Sequence, residues 1–538
     1  MNQNFIVVLP VILVFAAALI TRKVVFALFL GIVSASFIAC DFAPLQSLTL
    51  LVQRIYEQTG IGDLIYQTGS YGKLYLFGFL TLLGILVELL THAGGTRAFA
   101  RMLVTRIKNA RQTQLMTLFL SVFFFIDDSL NALMLGAIMR PLSDFYKIPR
   151  IKLAYLFNSV SSSWAVLIPA SSWTGVIIAQ LAASGVQKTL TPGTLVNVDP
   201  FYFLLCAIPF LIYPIMSIFA AWYVVRKNFS FGKMREQEEL AQKTGDLFGG
   251  KACAYEPQSL DANASDGSIL DIILPIATFM FTYLLVLLVS GGHHLFGGTK
   301  TVLQAFMTAN NACASFIGAL AAFSVAGAQF LIKKGSLKRL GLLAGQGILV
   351  MKRTLLMLLF AWTFSFFLEH DLNAGAYIAQ KFLPLLTPTL APVLVFIAAT
   401  LMVIGIGSSW ATIALLIPVV MPVMAHLVGQ PPISPESLFL IIPTLGALLS
   451  GTVAGSQFSP ITDATIIAAL GAQCNHLDHV RTMASYALPT LVGATIAFVI
   501  LGFAAQSMSP VVAGLISLVA GLLICVGLLH VRNRMQRS

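Results

Sequence analysis

Charge is scarce in this sequence. Only 10% of its 538 residues are Asp, Glu, Lys or Arg, where a soluble domain carries roughly 25%. That shortage excludes the string of soluble domains that length alone would suggest. Cysteine is sparse and scattered: Cys40, Cys206, Cys253, Cys313, Cys474 and Cys525 form no CxxC pair, so neither a disulfide framework nor a zinc site is implied. No GxxxxGK(S/T) occurs, which argues against an ATP-driven pump. HExxH and GxSxG are also missing, and no enzyme is expected. The opening MNQNFIVVLP has no basic region ahead of its apolar run and reads as a first transmembrane helix rather than a cleaved signal.

What is present is apolar surface. The chain is 58% hydrophobic with a mean hydropathy of +0.88. Its net charge of +11 comes from basic residues clustered in short loops between apolar runs. That is the positive-inside pattern of a membrane protein, not a nucleic-acid-binding stripe. The expected fold is an all-α polytopic membrane protein of about 10–12 transmembrane spans, each needing some 20 apolar residues.

Spans begin at 5–20 and 24–40, with Arg22 and Lys23 between them, which places the N-terminus outside. An amphipathic piece at 45–57 is expected outside, and a third span covers 74–91. The basic segment 95–111 reads as an amphipathic helix lying along the inner surface as a support, with lipid-headgroup binding as the alternative. A span at 200–225 leads to the most hydrophilic stretch, 226–268, expected as a cytoplasmic loop. It divides the chain into transmembrane halves 1–225 and 269–538. The second half offers spans at 269–290 and 309–332, a basic amphipathic piece at 333–353, long runs at 388–428 and 437–471, and spans at 482–503 and 511–530. The basic tail VRNRMQRS is expected in the cytoplasm, and the cell inner membrane is the expected location.

Two places depart from plain spans. The apolar run Leu115–Met139 has basic clusters on both sides: Lys108 and Arg111 before it, then Arg140, Lys147, Arg150 and Lys152 after it. A re-entrant hairpin with its tip near Asp127 and Asp128 keeps both clusters inside. Non-helical backbone at that depth must line protein or a wet cavity. The run from Lys152 to Ser184 is too long for one straight span and carries Asn158, several serines and Pro169 at its middle, so it reads as a broken helix. The halves also echo each other. FFIDDSLNA from Phe124 matches FFLEHDLNA from Phe366, and ASSW ending at Trp173 matches GSSW ending at Trp410. Two repeats, inverted, with helices broken near the midplane are the signature of secondary transporters. The re-entrant segment of the second half is either 354–379 or 437–471.

FIDDSLNALMLGAIMRPLSDFYKIPRIKLAY, PASSWTGVII, GSSWATIALLIPVVMP and SPITDATIIAALGAQCNHLDHVRTMASYAL resemble, in content and order, the NhaC-type Na+/H+ antiporter family of the ion transporter superfamily. The resemblance implies a membrane antiporter with inverted repeats and a central ion site. Some members exchange small carboxylates such as malate and lactate. The sequence departs from the family at two acids: Asn158 begins N-S-V-S-S-S where D-S-T-A-A-P is common, and Ser456-Gln457 stand where an acid–His pair is common. Both departures bear on ion and proton stoichiometry.

Asp127 and Asp128 are the leading site candidates, because an ionisable group in the membrane is costly and is functional by default. Paired carboxylates suit Na+, a hard cation, and neighbouring carboxylates let one carry a proton. Competition of Na+ and H+ for one site would give antiport. Pairing with Arg140, or capping of a half-helix, is the structural alternative. Asn131 and Asp463 join them as ion or proton ligands, although Asp463 equally suits the first turn of a helix after Pro460. Neutral lining is expected from Ser129, Asn158, Ser171, Ser172, Ser408, Ser409, Thr412, Ser456, Gln457, Ser459 and Thr465, with helix packing as the plainer role of the small residues. Trp173 and Trp410 read as gates or packing wedges. Glu369 and Asp371 are a candidate second proton site or gate, and NHLDHVR from Asn475 reads as a cytoplasmic turn. The function expected is exchange of Na+ for H+ by alternating access around Asp127 and Asp128. The alternative is a proton- or sodium-coupled organic-acid antiporter of malate or lactate type, and a channel or sensor is a third class. No cofactor is expected beyond the transported Na+ and H+. Partners are those ions, a small carboxylate in the alternative, and membrane lipid; no nucleic acid is expected, and a homodimer is left open.

Overall fold

Apolar backbone in lipid must satisfy its own N–H and C=O groups, which favours the α-helix. A computed structural model describes the chain except residues 1–4, 22, 66–70, 93–106, 191–192, 251–266, 303, 306–308, 335, 373–376, 378–386, 388, 430, 435–437, 439, 461 and 537–538. Among the described residues there are helices and no β-strand. In chain order these are α1 Leu9–Thr21, α2 Val24–Ala39, α3 Pro44–Thr59, α4 Gly72–His92, α5 Ala110–Leu120, α6 Asp128–Phe145, α7 Arg150–Leu167, α8 Ser172–Ala183, α9 Pro200–Ala207 and α10 Ile212–Lys227. They continue with α11 Lys233–Thr244, α12 Leu270–Gly291, α13 Asn311–Lys334, α14 Leu337–Phe366, α15 Ala391–Ile406, α16 Ser409–Val428, α17 Ile441–Phe458, α18 Asp463–Ala472, α19 His476–Ala504 and α20 Pro510–Met535. Seven described helices are long and apolar enough to cross a membrane, and two bent pairs raise that to nine. The protein is a polytopic membrane protein.

Two stretches fold back on themselves. From α5 the chain passes through a tight turn of helix at Ser121–Phe124 to Asp127, which caps α6. Tyr146, just past α6, donates its hydroxyl to the Ile107 carbonyl, just before α5, at 2.7 Å. The chain therefore returns to the side it left, as the basic flanks require. The second hairpin is α15–α16. Its turn is Gly407, whose φ of +82° is the left-handed region that favours glycine, followed by the cap Ser408. Thr389, before α15, is hydrogen-bonded to Gln506 at the far end of α19. Beyond α16, the Ile433 N–H donates to the Leu195 carbonyl in the loop after α8. Neither 354–379 nor 437–471 is this hairpin: residues through Phe366 continue α14, with 373–376 and 378–379 outside the described residues, and 441–471 lie in α17, the break after it and α18. A hairpin entering from the far side has no basic flanks, so loop charge could not mark it.

Two spans are broken. α7 and α8 meet at a 49° bend across Ile168–Ser171, and α17 gives way to α18 across Ser459–Thr462. The breaks share one hydrogen-bond pattern. Ser171 donates to the Ala165 carbonyl, and Thr462 donates to the Ser456 carbonyl at 2.8 Å. Thr174 reaches the Ile168 carbonyl at 3.3 Å, and Thr465 reaches the Ser459 carbonyl at 2.8 Å. IPASSWT (168–174) thus corresponds to SPITDAT (459–465), not ASSW to GSSW. Each unit runs hairpin, then broken span. α6 and α18 lie side by side and end near Arg150, whose guanidinium donates to the Ala472 carbonyl at 2.9 Å. α8 and α16 lie side by side and end on the opposite side, where the loops after them pair. The two pairs thus end on opposite sides.

The span expected at 200–225 is also bent, by 46° between residues 200–210 and α10. Residues 228–250, expected as a plain loop, form a docked strap. Phe231 stacks on Tyr486 with ring centroids 3.9 Å apart, Lys233 pairs with Asp478 at 3.2 Å, and Lys152, only 1% exposed, pairs with Glu238. The strap therefore ties α7 of the first half to α19 of the second. The surface helix expected at 95–111 falls largely outside the described residues.

Candidate functional site

The first turn of a helix carries free N–H groups, and a carboxylate placed before it accepts them. Asp127 does this for α6: Oδ1 accepts from the Ser129 and Leu130 N–H groups at 3.0 and 3.1 Å. Its Oδ2 accepts from the Ser172 hydroxyl at 3.0 Å, joining the hairpin tip to the break of α7–α8. Asp127 is thus occupied as a cap. Asp128 is not. It accepts from the Ser129 N–H at 3.1 Å and the Ser162 hydroxyl at 3.1 Å, and it forms part of the wall of a small cavity.

That cavity is lined by Asp128, Ser129, Asn158, Ser161 and Ser162, with Ala132, Ala464, Ile467 and Ala468 closing it. Its polar wall comes from α6 and α7 and its apolar wall from α6 and α18. It has room for a water molecule or a bare cation and not for a dicarboxylate. A carboxylate beside neutral oxygens is the donor set of a hard cation.

Asn131 was expected to bind the ion. It is fully buried and holds the hairpin tip instead, donating to the Ser121 carbonyl at 2.7 Å and accepting from Ser161 at 3.2 Å. Asp463 stands in the first turn of α18 and is exposed, while Thr462 is the cap. Ser171, Ser408 and Thr465 spend their hydroxyls on the breaks; Ser408 accepts from the Ala411 N–H at 3.3 Å. Thr412 donates to the Ser408 carbonyl at 3.0 Å, Ser409 to Thr452 at 3.1 Å, Ser456 to Val453 at 2.8 Å and Ser459 to Ile404 at 3.1 Å. Trp173 and Trp410 are packed against each other, ring centroids 5.9 Å apart. Asp371 lies far from this centre in sequence and partner: its oxygens accept from Arg54 at 2.7 and 3.1 Å, and Arg54 also pairs with Glu57 at 2.9 Å and covers the Phe366 ring. An engaged ion pair is a poor second proton site. The Glu369 side chain lies outside the described residues.

The two neutral departures from the family pattern meet in space. Gln457 donates to the Asn158 carbonyl at 3.4 Å and to Ser217 at 3.0 Å, and accepts from Tyr213 at 2.7 Å. The Asn158 amide reaches His479 Nε2 at 3.2 Å. His479 was expected in a cytoplasmic turn. It is fully buried in the first turn of α19, whose cap is Asn475, accepting from the Asp478 N–H at 3.2 Å. The N-x-x-D spacing of Asn475 and Asp478 was the missed signal of a helix start. Ser162, the hydroxyl that reaches Asp128, carried no mark to set it apart from Ser161 and Ser163.

Paired hairpins and broken spans around a buried carboxylate define a secondary transporter. The Na+/H+ antiporter family matches residues 164–503. An uncharacterized protein of Haemophilus influenzae is 28% identical over 516 residues, 95% of this chain and 93% of that one. The malate-2H+/Na+-lactate antiporter of Bacillus subtilis is 30% identical over 115 residues, 20% of this chain and 22% of that protein. Among solved structures, the Alcanivorax borkumensis YdaH transporter superposes with a TM-score of 0.50 at 14% identity, over 82% of this chain and 90% of that one, a likeness of fold alone. The chain belongs to the Na+/H+ antiporter family.

Proposed function

We propose that the protein exchanges Na+ for H+ by alternating access around Asp128. The observation that carries this reading is the cavity: one half-buried carboxylate, neutral oxygens from Ser129, Asn158, Ser161 and Ser162, and space for one small ion. A bare carboxylate is unfavourable in a low-dielectric interior. Either Na+ or a proton neutralises it, and the two compete for the same oxygens. A transporter that changes sides only when neutralised then couples the two fluxes. Asp127 has its oxygens engaged by two N–H groups and a hydroxyl and serves as the fixed end of α6. In this reading the Arg150 side, the strap and the C-terminus lie in the cytoplasm and the N-terminus outside, in the cell inner membrane, as the positive-inside pattern of the basic clusters favours. No cofactor beyond the transported ions enters this reading, with membrane lipid around the protein; a homodimer is compatible with it.

A second reading, exchange of a small carboxylate, is supported by one observation. Four half-helix N-termini face the centre from both sides, at the caps Asp127, Ser171, Ser408 and Thr462, and such termini favour anions. The small cavity and the occupied cap hydroxyls weigh against it.

The test is a pH dye inside sealed proteoliposomes, with Na+, Li+ or K+ imposed in turn, with and without malate or lactate. Wild type is expected to give a Na+-driven pH change without any carboxylate. Asp128→Asn is expected to lose it by at least about a hundredfold, as loss of a charge from a desolvated site implies. Asp127→Asn is expected to keep it, because Asn is an equal cap. A signal that requires malate or lactate would replace the first reading with the second.

A further inference from the structure

Asn158 is a wall of the Asp128 cavity, is 2% exposed, and its two ends are treated differently. Nδ2 sits 3.2 Å from His479 Nε2. Oδ1 is buried and has no hydrogen-bond partner among the described residues. A buried carbonyl oxygen left alone is costly, so an orphan beside an ion-sized space points to something that fills it. An amide nitrogen can only donate, so the imidazole must accept through Nε2, which places its proton on Nδ1. That nitrogen is itself buried without a partner. With Nδ2 held, the plane of the amide is set and Oδ1 has one direction left. Gln457 fixes the same residue from behind, at the Asn158 backbone carbonyl, and is in turn held by Tyr213 and Ser217. His479 comes from α19 of the second half, while Asn158 comes from α7 of the first.

We propose that His479, as its Nδ1–H tautomer, is a positioning residue that holds the Asn158 amide so that Oδ1 is offered as a neutral ligand to the cation beside Asp128. The proposal rests on the cation reading above. It makes a residue of the second half set cation affinity at a carboxylate of the first. His479 does not touch the ion; it removes the amide orientation in which Nδ2, a donor, would face a cation.

The test uses the full chain in proteoliposomes and reads KM for Na+ separately from the maximal rate. His479→Leu removes the acceptor and is expected to raise KM about tenfold, the effect of one misplaced ligand, with the maximal rate within about twofold. His479→Gln restores an acceptor and is expected to bring KM back. Asn158→Ala is expected to raise KM as much as His479→Leu, and the double variant no further, since the two act through one contact. If His479→Leu is not recovered folded, His479→Asn, too short to reach Asn158, takes its place and is expected to raise KM where His479→Gln does not. An unchanged KM, a failed rescue by Gln, or effects that multiply in the double variant would each overturn the role of His479 while leaving Na+ exchange in place. Wild type without any Na+-driven exchange would overturn the cation reading itself.

Discussion

The two pairs of parallel half-helices solve the same backbone problem with opposite side chains. In α6 and α18 the backbones nearly touch: a Cβ on Gly136 would stand 2.2 Å from the Gly471 carbonyl oxygen, and one on Gly471 would stand 2.6 Å from that of Ala132. In α8 and α16 the contact is Trp173 against Trp410, with Trp173 1% exposed. Both pairs begin at the centre with capped N-termini; Asp128 and the small cavity lie at the tip of the glycine pair, and Ser172, the first residue of α8, reaches Asp127 from the other. Small residues let two helices approach and leave the space at their ends to be shaped by polar groups. Large aromatics fill that space. The fold is therefore nearly symmetric in its skeleton and strongly asymmetric in its chemistry, and the proposed ion site belongs to the close-packed pair.

The sharpest way to break this contrast is to empty the aromatic pair. Trp173→Ala removes a fully buried indole and is expected to cost roughly 3–5 kcal/mol, read as a fall in melting temperature of the purified protein. If the Trp173 indole, which packs on Trp410 and also lies beside Asp128, acts by packing alone, whatever protein survives is expected to keep the KM for Na+ of wild type. A changed KM with little loss of stability would reverse the assignment and make the tryptophan pair part of the site.

A smaller effect is expected from the glycine pair. In Gly136→Ala the added methyl meets backbone, which cannot rotate away, so α6 and α18 must separate. Overpacking of this kind costs about 1–3 kcal/mol. Unlike the tryptophan variant, it is expected to change Na+ affinity, because Ala132, Ala464, Ile467 and Ala468 of the same two helices close the cavity. Unaltered Na+ affinity in a folded Gly136→Ala protein would detach the site from the helix contact.

Charge and hydropathy made the first hairpin legible, because basic flanks on both sides leave only a fold-back. They made the second one invisible, because α15–α16 enters from the side where basic residues are not retained. The likeness of the two breaks was not legible in matching letters. Matching letters aligned Ser171 with Ser408, whereas the backbone aligns Ser171 with Thr462, since what recurs is a proline, a capping hydroxyl and a threonine three residues on. The site was half legible. Two adjacent aspartates announced themselves by cost alone, but which one is a cap depends on the direction of α6, a three-dimensional fact. Serines could not be sorted at all: those at the breaks are occupied by carbonyls a turn or more away, and Ser162 faces Asp128 only because α7 packs on α6. His479 was lost for a simpler reason, the reading of a helix start as a turn.

The smallest expected effect tests whether the two breaks are as alike as their hydrogen bonds. Ser171 accepts from the Thr174 N–H at 3.3 Å and Thr462 from the Thr465 N–H at 3.5 Å, and each also closes onto a carbonyl of the preceding helix. Ser171→Ala and Thr462→Ala are each expected to cost about 1 kcal/mol, the value of one N-cap. Their partners are distinct, so the double variant is expected to show the sum within about 0.5 kcal/mol. Equal and additive losses, with KM for Na+ unchanged in both, would make the clasps interchangeable parts of a skeleton. A loss confined to Thr462→Ala, or a changed KM in that variant alone, would mean that the second break has been drawn into the site through Asp463 and Ala464, which follow it directly; the chemical asymmetry would then begin at the breaks and not at the hairpin tips.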